Sequence, residues 1–285
     1  MGPIPLPGST TPQFMTAISK ADFSKAAGIT NIPGLASVLM KALKIDAFNA
    51  MMQNAKALSG VAFADHLLKL LGVTVIIDDA DLQHIPPAGA FIAIANHPYG
   101  AIESLALLSI LVKQRPETMF MGNFLLKQVP NLADHIIAVN PFENVKDSSS
   151  ISGLKNTLST LKSGVPVAIF PAGEVSSYCT QKRQITDKQW HPVVGKIITK
   201  ANLPILPVYF HGNNGMCFSL LRYIHPSLQT AMLLSELFNK KGLKLHVKIG
   251  KPILPAEIPG NGDNLKVLGY LRENIYSMRA GLKGN

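Results

Sequence analysis

Residues 91–103 read Phe91-Ile92-Ala93-Ile94-Ala95-Asn96-His97-Pro98-Tyr99-Gly100-Ala101-Ile102-Glu103. An apolar run of strand length leads into a turn forced by Pro98 and Gly100, and a helical pattern follows over residues 104–113. A strand with no polar alternation is buried on both faces, which is the habit of parallel sheets covered by helices. Reading outward, the same rhythm recurs. Residues 73–77, 118–121, 136–139, 165–170, 204–210 and 245–249 are short apolar strands. Helical stretches over residues 150–162, 193–200 and 228–240 separate the later ones, and residues 263–282 make a closing helix and its tail. The alternation predicts an α/β protein with a mainly parallel sheet flanked by helices.

Before the first strand the pattern is helical. Leu35, Val38, Leu39 and Leu43 recur at helical spacing, as do Leu58, Val61, Ala62, Leu67 and Leu70. The expected organisation is a flexible Pro-, Gly-, Ser- and Thr-rich tail over residues 1–18, an N-terminal helical segment over 19–72, and an α/β domain over 73–285.

Composition narrows the partners. The 285 residues are 47% hydrophobic and 15% charged, and 27 Lys and Arg against 17 Asp and Glu give a formal net charge of +10. Such a balance suits nucleic acid, anionic lipid or an anionic substrate. The basic residues are scattered and there is one Trp, so nucleic acid is not expected as a partner. A chain both basic and apolar fits a bilayer surface. The longest apolar candidate for a span, residues 105–112, is under half of the roughly 20 residues a membrane crossing needs. The first residues lack a basic start followed by an apolar stretch. Membrane contact is therefore expected to be peripheral. Cys179 and Cys217 provide neither a disulfide framework nor metal-ligand spacing, which points to an intracellular protein without a metal.

Ligands in parallel sheets bind beyond the carboxyl ends of the strands, so chemistry is sought after Ala95, Phe170 and Phe210. After Ala95, the turn folds His97 back toward Glu103, which stands in the first helical turn where the helix dipole favours a carboxylate. A carboxylate on one imidazole nitrogen fixes the tautomer and supports the imidazolium, leaving the other nitrogen to take a proton from a hydroxyl. On these residues alone, a helix-capping or buried-polar role for His97 stays open. After Phe170, the block Phe170-Pro171-Ala172-Gly173-Glu174-Val175-Ser176-Ser177 joins a glycine that permits close backbone approach to a cluster of polar groups, though taken alone it reads as an ordinary tight turn. After Phe210, in His211-Gly212-Asn213-Asn214, the histidine and asparagines either line a site or satisfy a polar turn, and the turn is the favoured reading. No nucleophile elbow, dinucleotide fingerprint or phosphate-binding loop is present in the sequence.

These blocks in this order resemble the lysophospholipid (glycerolipid) acyltransferases. Asn96-His97-Pro98-Tyr99-Gly100-Ala101-Ile102-Glu103 is most similar to the hemolysin-like bacterial branch that includes lyso-ornithine-lipid-type O-acyltransferases. The likeness extends over residues 19–253 and takes in Ile85-Pro86, Asn140-Pro141, the Phe170 block, Trp190 and residues 204–212. It implies transfer of a fatty acyl group from acyl carrier protein or coenzyme A to a hydroxyl of a lyso-lipid in membrane lipid biosynthesis, with no metal or organic cofactor. By the same resemblance His97 is the base and Glu103 its charge partner. Asn96, Pro98, Gly100, Phe170, Pro171, Gly173, Glu174, Ser176 and Pro207 form the expected substrate-binding set. The helical front end is expected to rest on the membrane, at the cytoplasmic face of the inner membrane. Val175 and Asn140 stand where phosphate-acceptor relatives carry Arg, which implies an acceptor without a phosphate. The competing reading is a noncatalytic lipid-surface binding protein on the same fold.

Overall fold

The computed structural model describes Lys20 and residues 35–139, 148–224, 226–260 and 262–281. The expected tail over residues 1–18 and the Asn140-Pro141 pair lie outside the described residues.

The apolar runs after Gly72 form the strands of one seven-stranded sheet. In chain order these are β1 (Thr74–Ile76), β2 (Ile92–Ala95), β3 (Met119–Asn123), β4 (Ile136–Val139), β5 (Val167–Ile169), β8 (Ile205–Phe210) and β9 (Lys244–Ile249). Across the sheet the order is β1-β9-β8-β2-β5-β3-β4. A separate antiparallel hairpin, β6 (Ser177–Cys179) with β7 (Gln184–Thr186), follows the Phe170 block. The strand carrying the first motif is central. β2 pairs in parallel with β5 on one side, Ala93 opposite Ala168, and with β8 on the other, Ile94 opposite Pro207. β3 and β4 continue the parallel set. β9 runs antiparallel to β8 and carries β1 parallel to itself, so these two strands reverse the direction of the other five. The expectation of a mainly parallel sheet holds, with a reversed edge that the residue pattern did not signal.

The pleat divides the core. Ala93 and Ala95 of β2 point into one apolar layer, while Ile92 and Ile94 point into the other. The first layer is covered by α5 (Ala101–Gln114), against which α3 (Gly60–Leu70) packs, and it takes in Phe63, Leu67 and Leu68 of α3 with Met51 of α2 (Ile45–Asn54). The helical front end thus shares a core with the sheet. Ile102, Leu107 and Leu111 of α5 are each 1% exposed or less, and burying each such side chain contributes about 1.5–3 kcal/mol. The second layer is covered by α7 (Ser148–Lys162), α8 (Pro192–Ala201) and α11 (Asn264–Ser277), through Leu161, Ile197 and Leu271. Short helices α1 (Leu35–Ala42), α4 (Asp79–Leu82) and α6 (Phe124–Lys127) complete the connections, together with the pair α9 (Met216–Ile224) and α10 (Pro226–Asn239). Among the described residues no helix is long and apolar enough to cross a membrane.

Candidate active site

His97 leaves the C-terminal end of β2, and Glu103 projects from the first turn of α5. The link between them is tight. Gly100, the residue before α5, adopts φ +101°, a region open to glycine and strained for other residues. A Cβ there would also crowd Val175 and Leu233. Glu103 Oε1 accepts the backbone N–H of Tyr99 and of Gly100, each at 2.8 Å. This is the reach-back bond by which a carboxylate in the first turn satisfies orphan donors at a helix start. The same oxygen lies 2.9 Å from His97 Nδ1. That distance is an ion-pair distance, but the ring nitrogen lacks hydrogen-bond alignment toward the carboxylate. The contact is therefore electrostatic, with the carboxylate placed beside the ring nitrogen. Glu103 is wholly buried, and its second oxygen has no partner among the described residues.

His97 is held through its ring and through its backbone. Its ring stacks on Phe170 with centroids 4.2 Å apart and 25° between planes. The His97 carbonyl accepts the Ser176 N–H at 2.8 Å. The His97 N–H donates to Asp187 Oδ1 at 3.1 Å. About 15% of the His97 side chain remains exposed, so the ring edge away from Glu103 is open to a substrate.

Of the residues singled out from the sequence, the fold brings His97, Pro98, Gly100, Glu103, Phe170 and Ser176 together. Pro171 accepts the His191 N–H through its carbonyl, and Gly173, at φ +68°, closes the turn by donating to the Phe170 carbonyl. Glu174 lies at the surface of this turn, 2.6 Å from Lys188 Nζ. Two residues are committed elsewhere. Asn96 uses both ends of its amide on the Phe210 backbone, donating from Nδ2 at 2.9 Å and accepting at Oδ1 at 2.7 Å. It extends the β2–β8 pairing by one residue. Pro207 sits within β8, buried opposite Ile94, with its ring where a Cβ on Gly250 would fall.

Asp187 carried no sequence signal, and the part played by Tyr99 and the His211–Asn214 turn was not read from theirs. Asp187 is 3% exposed. Its carboxylate accepts from His97 N–H, from the Ser176 hydroxyl at 2.6 Å and from the Trp190 indole at 3.1 Å. It joins three separated segments of chain, and only Trp190, three positions on, is near it in sequence. Tyr99 donates its hydroxyl to the His211 carbonyl at 3.0 Å and accepts at its own carbonyl from Asn214. Burial, the Glu103 carboxylate and Tyr209 push the Tyr99 phenol up to about 12, so it remains a donor. Gly212, at φ +106°, makes room for that hydroxyl, because a Cβ there would overlap it. The turn over His211–Asn214 is thereby locked to the His97 turn. Burial, followed by Arg279 and His246, holds the His211 imidazole below its ordinary range. Among the described residues no cluster of three His, Cys, Asp or Glu side chains is arranged to hold a metal.

A histidine at the end of a central parallel strand, backed by a buried carboxylate and open on its far edge, has the parts of a general-base site. Comparison with known proteins gives that arrangement a family. The profile of the acyltransferase family matches residues 22–284. The chain belongs to the acyltransferase family, and it is an enzyme of that kind. The lyso-glycine lipid O-acyltransferase of Bacteroides thetaiotaomicron is 26% identical over 250 residues, covering 85% of this chain and 89% of the relative. That of Phocaeicola vulgatus is 27% identical over 215 residues, covering 73% and 74%. A crystal structure of the 1-acyl-sn-glycerophosphate acyltransferase of Thermotoga maritima covers 86% of this chain and 84% of its own at 17% identity, with a TM-score of 0.46.

Proposed function

We propose that the enzyme transfers a fatty acyl group from an acyl thioester, carried by acyl carrier protein or coenzyme A, to the hydroxyl of a lyso-lipid in membrane lipid biosynthesis. The observation that carries this reading is the buried Glu103 carboxylate 2.9 Å from His97 Nδ1 in a chain of the acyltransferase family. Relatives named for acylating a lyso-glycine lipid support an acceptor of the lyso-aminolipid type. In this mechanism His97 Nε2 takes the hydroxyl proton as the acceptor oxygen attacks the thioester carbonyl. Glu103 stabilises the imidazolium that results. The tetrahedral intermediate then collapses, the C–S bond breaks, and the departing thiolate takes the proton back from His97. The products are an ester and a free thiol, and no group beyond the two substrates is consumed.

The remaining substrate-facing set proposed here is Pro98, Gly100, Phe170, Pro171, Gly173, Glu174 and Ser176. The site works at a membrane surface, peripherally and on the cytoplasmic face of the inner membrane. The net charge of +10 supports attraction to anionic lipid. So does α9, whose Met216, Leu220 and Tyr223 recur at helical spacing and are 51%, 43% and 58% exposed.

The test is His97→Ala in purified enzyme supplied with acyl thioester and lyso-lipid. Turnover is expected to fall by about 10²–10⁴, the usual contribution of a general base, with an unchanged thermal melt. Turnover within a few-fold of wild type would remove His97 from the mechanism. Wild-type enzyme that binds lipid vesicles but consumes no thioester would return the noncatalytic reading.

A further inference from the structure

The β6–β7 hairpin stands over α11, and the cleft between them has a volume of about 530 Å³. Its walls carry three cationic side chains, Lys182, Lys188 and Arg272, and among the lining residues the one carboxylate is Asp187. That carboxylate is already occupied, since it accepts from His97, Ser176 and Trp190. Glu174, which is outside the lining, pairs with Lys188. Lys182 makes no hydrogen bond or ion pair with the described residues. Arg272 spends one nitrogen on the Thr186 hydroxyl and the Asp187 carbonyl, and its guanidinium lies 4.8 Å from the centre of the Tyr276 ring. Its buried Nε has no hydrogen-bond partner among the described residues. A concave site with an unpaired lysine and a guanidinium bonded only to neutral acceptors favours an anion, and a planar guanidinium suits an oxyanion best. The cleft is also tied to the chemistry. Asp187 forms part of its wall and accepts the N–H of His97.

We propose that this cleft is a substrate subsite for an oxyanion carried by one of the two molecules that react at His97. The proposal rests on the acyl-transfer reading. Two sources present the required chemistry: the phosphate on the carrier arm of the thioester donor, or a carboxylate on the acceptor headgroup. Lys182 and Arg272 hold the oxyanion, and Asp187 couples its position to the His97 backbone.

Trp190 lines the cleft and is the one tryptophan of the chain, so its fluorescence reports occupancy without any turnover. The full-length protein is titrated with inorganic pyrophosphate, with chloride at matched ionic strength as the control. A saturable change is expected in wild type, with the midpoint moved upward on the order of tenfold in Lys182→Glu, the usual size of a hydrogen bond to a charged group. A response no larger than that to chloride, or an unchanged midpoint in Lys182→Glu, overturns the subsite. Because this readout needs no reaction, its failure is separate from a failure of acyl transfer, which wild-type thioester consumption reads. Kinetics then name the source. A rise in KM for acyl-coenzyme A in Lys182→Glu, absent with a phosphate-free acyl thioester of N-acetylcysteamine, assigns the donor. A rise for a carboxylate-bearing lyso-lipid, absent with its methyl ester, assigns the acceptor. KM values unchanged for all four substrates overturn the proposal.

Discussion

At the scale of single residues, the site depends on one carboxylate oxygen with several duties. Glu103 Oε1 satisfies two backbone donors of the turn and faces His97 Nδ1. Turn geometry and histidine electrostatics are therefore coupled, and they separate on substitution. Glu103→Gln keeps an oxygen that can accept both N–H groups but removes the charge that supports an imidazolium. Its expected effect is a fall in kcat of about 10²–10⁴, with KM and the thermal melt close to wild type. A variant that instead unfolds early and retains kcat would make Glu103 a capping residue only. The His97–Glu103 relation was legible in the sequence because the two lie on one local turn between a strand and a helix. Asp187 was not legible. It meets His97 from 90 positions away, and only the folded chain brings the two together.

At the scale of elements, Asn96 illustrates how a motif residue can serve the sheet. The sequence suggested substrate contact, yet its amide is spent on the N–H and C=O of Phe210 at the end of β8. Asn96→Ala strands two buried backbone groups, at about 1–3 kcal/mol each. Urea denaturation should show a lower midpoint, and a midpoint equal to wild type would reassign Asn96 to the substrate. α9 poses a different question. Its exposed Met216, Leu220 and Tyr223 lie one turn apart along the helix, and core packing does not account for that face. Replacing Met216 and Leu220 by Asp should reduce co-sedimentation with vesicles of anionic phospholipid by on the order of tenfold, because the helix loses apolar area for the interface. Equal binding by the double variant would move the membrane contact elsewhere. Neither α9 nor the β6–β7 hairpin stood out in the sequence. One is a short helix whose apolar residues are largely exposed, and the other is a polar hairpin of three-residue strands.

At the scale of the whole molecule, the partly buried His211 imidazole links stability to pH. His211 is held below its ordinary value of 6.5 by burial, with Arg279 and His246 adding to the effect. The unfolded chain protonates this side chain near that ordinary value, whereas the native state resists. The stabilising contribution is therefore complete above pH 6.5 and is lost as pH falls from there through the depressed native value. His211→Asn should flatten the decline in Tm between about pH 7.5 and about pH 5. Identical slopes for variant and wild type would show that other groups carry the acid sensitivity.

By itself the sequence determined the α/β class, the strand that carries the histidine, and the His97–Glu103 pair. Runs such as Phe91–Ala95 are apolar at every position because both faces of the strand are covered, and the chemistry that follows is written into a single turn. Tertiary structure alone decided the reversal of β9 and β1, the tie from Asn96 to Phe210, the role of Asp187 and the cationic cleft behind it. A buried strand has the same apolar composition whichever way it runs. A polar side chain far along the chain acquires its partner only when the layers pack. Local physics wrote the histidine and its facing carboxylate into one strand-to-helix turn, and the supports around them came from chain closure.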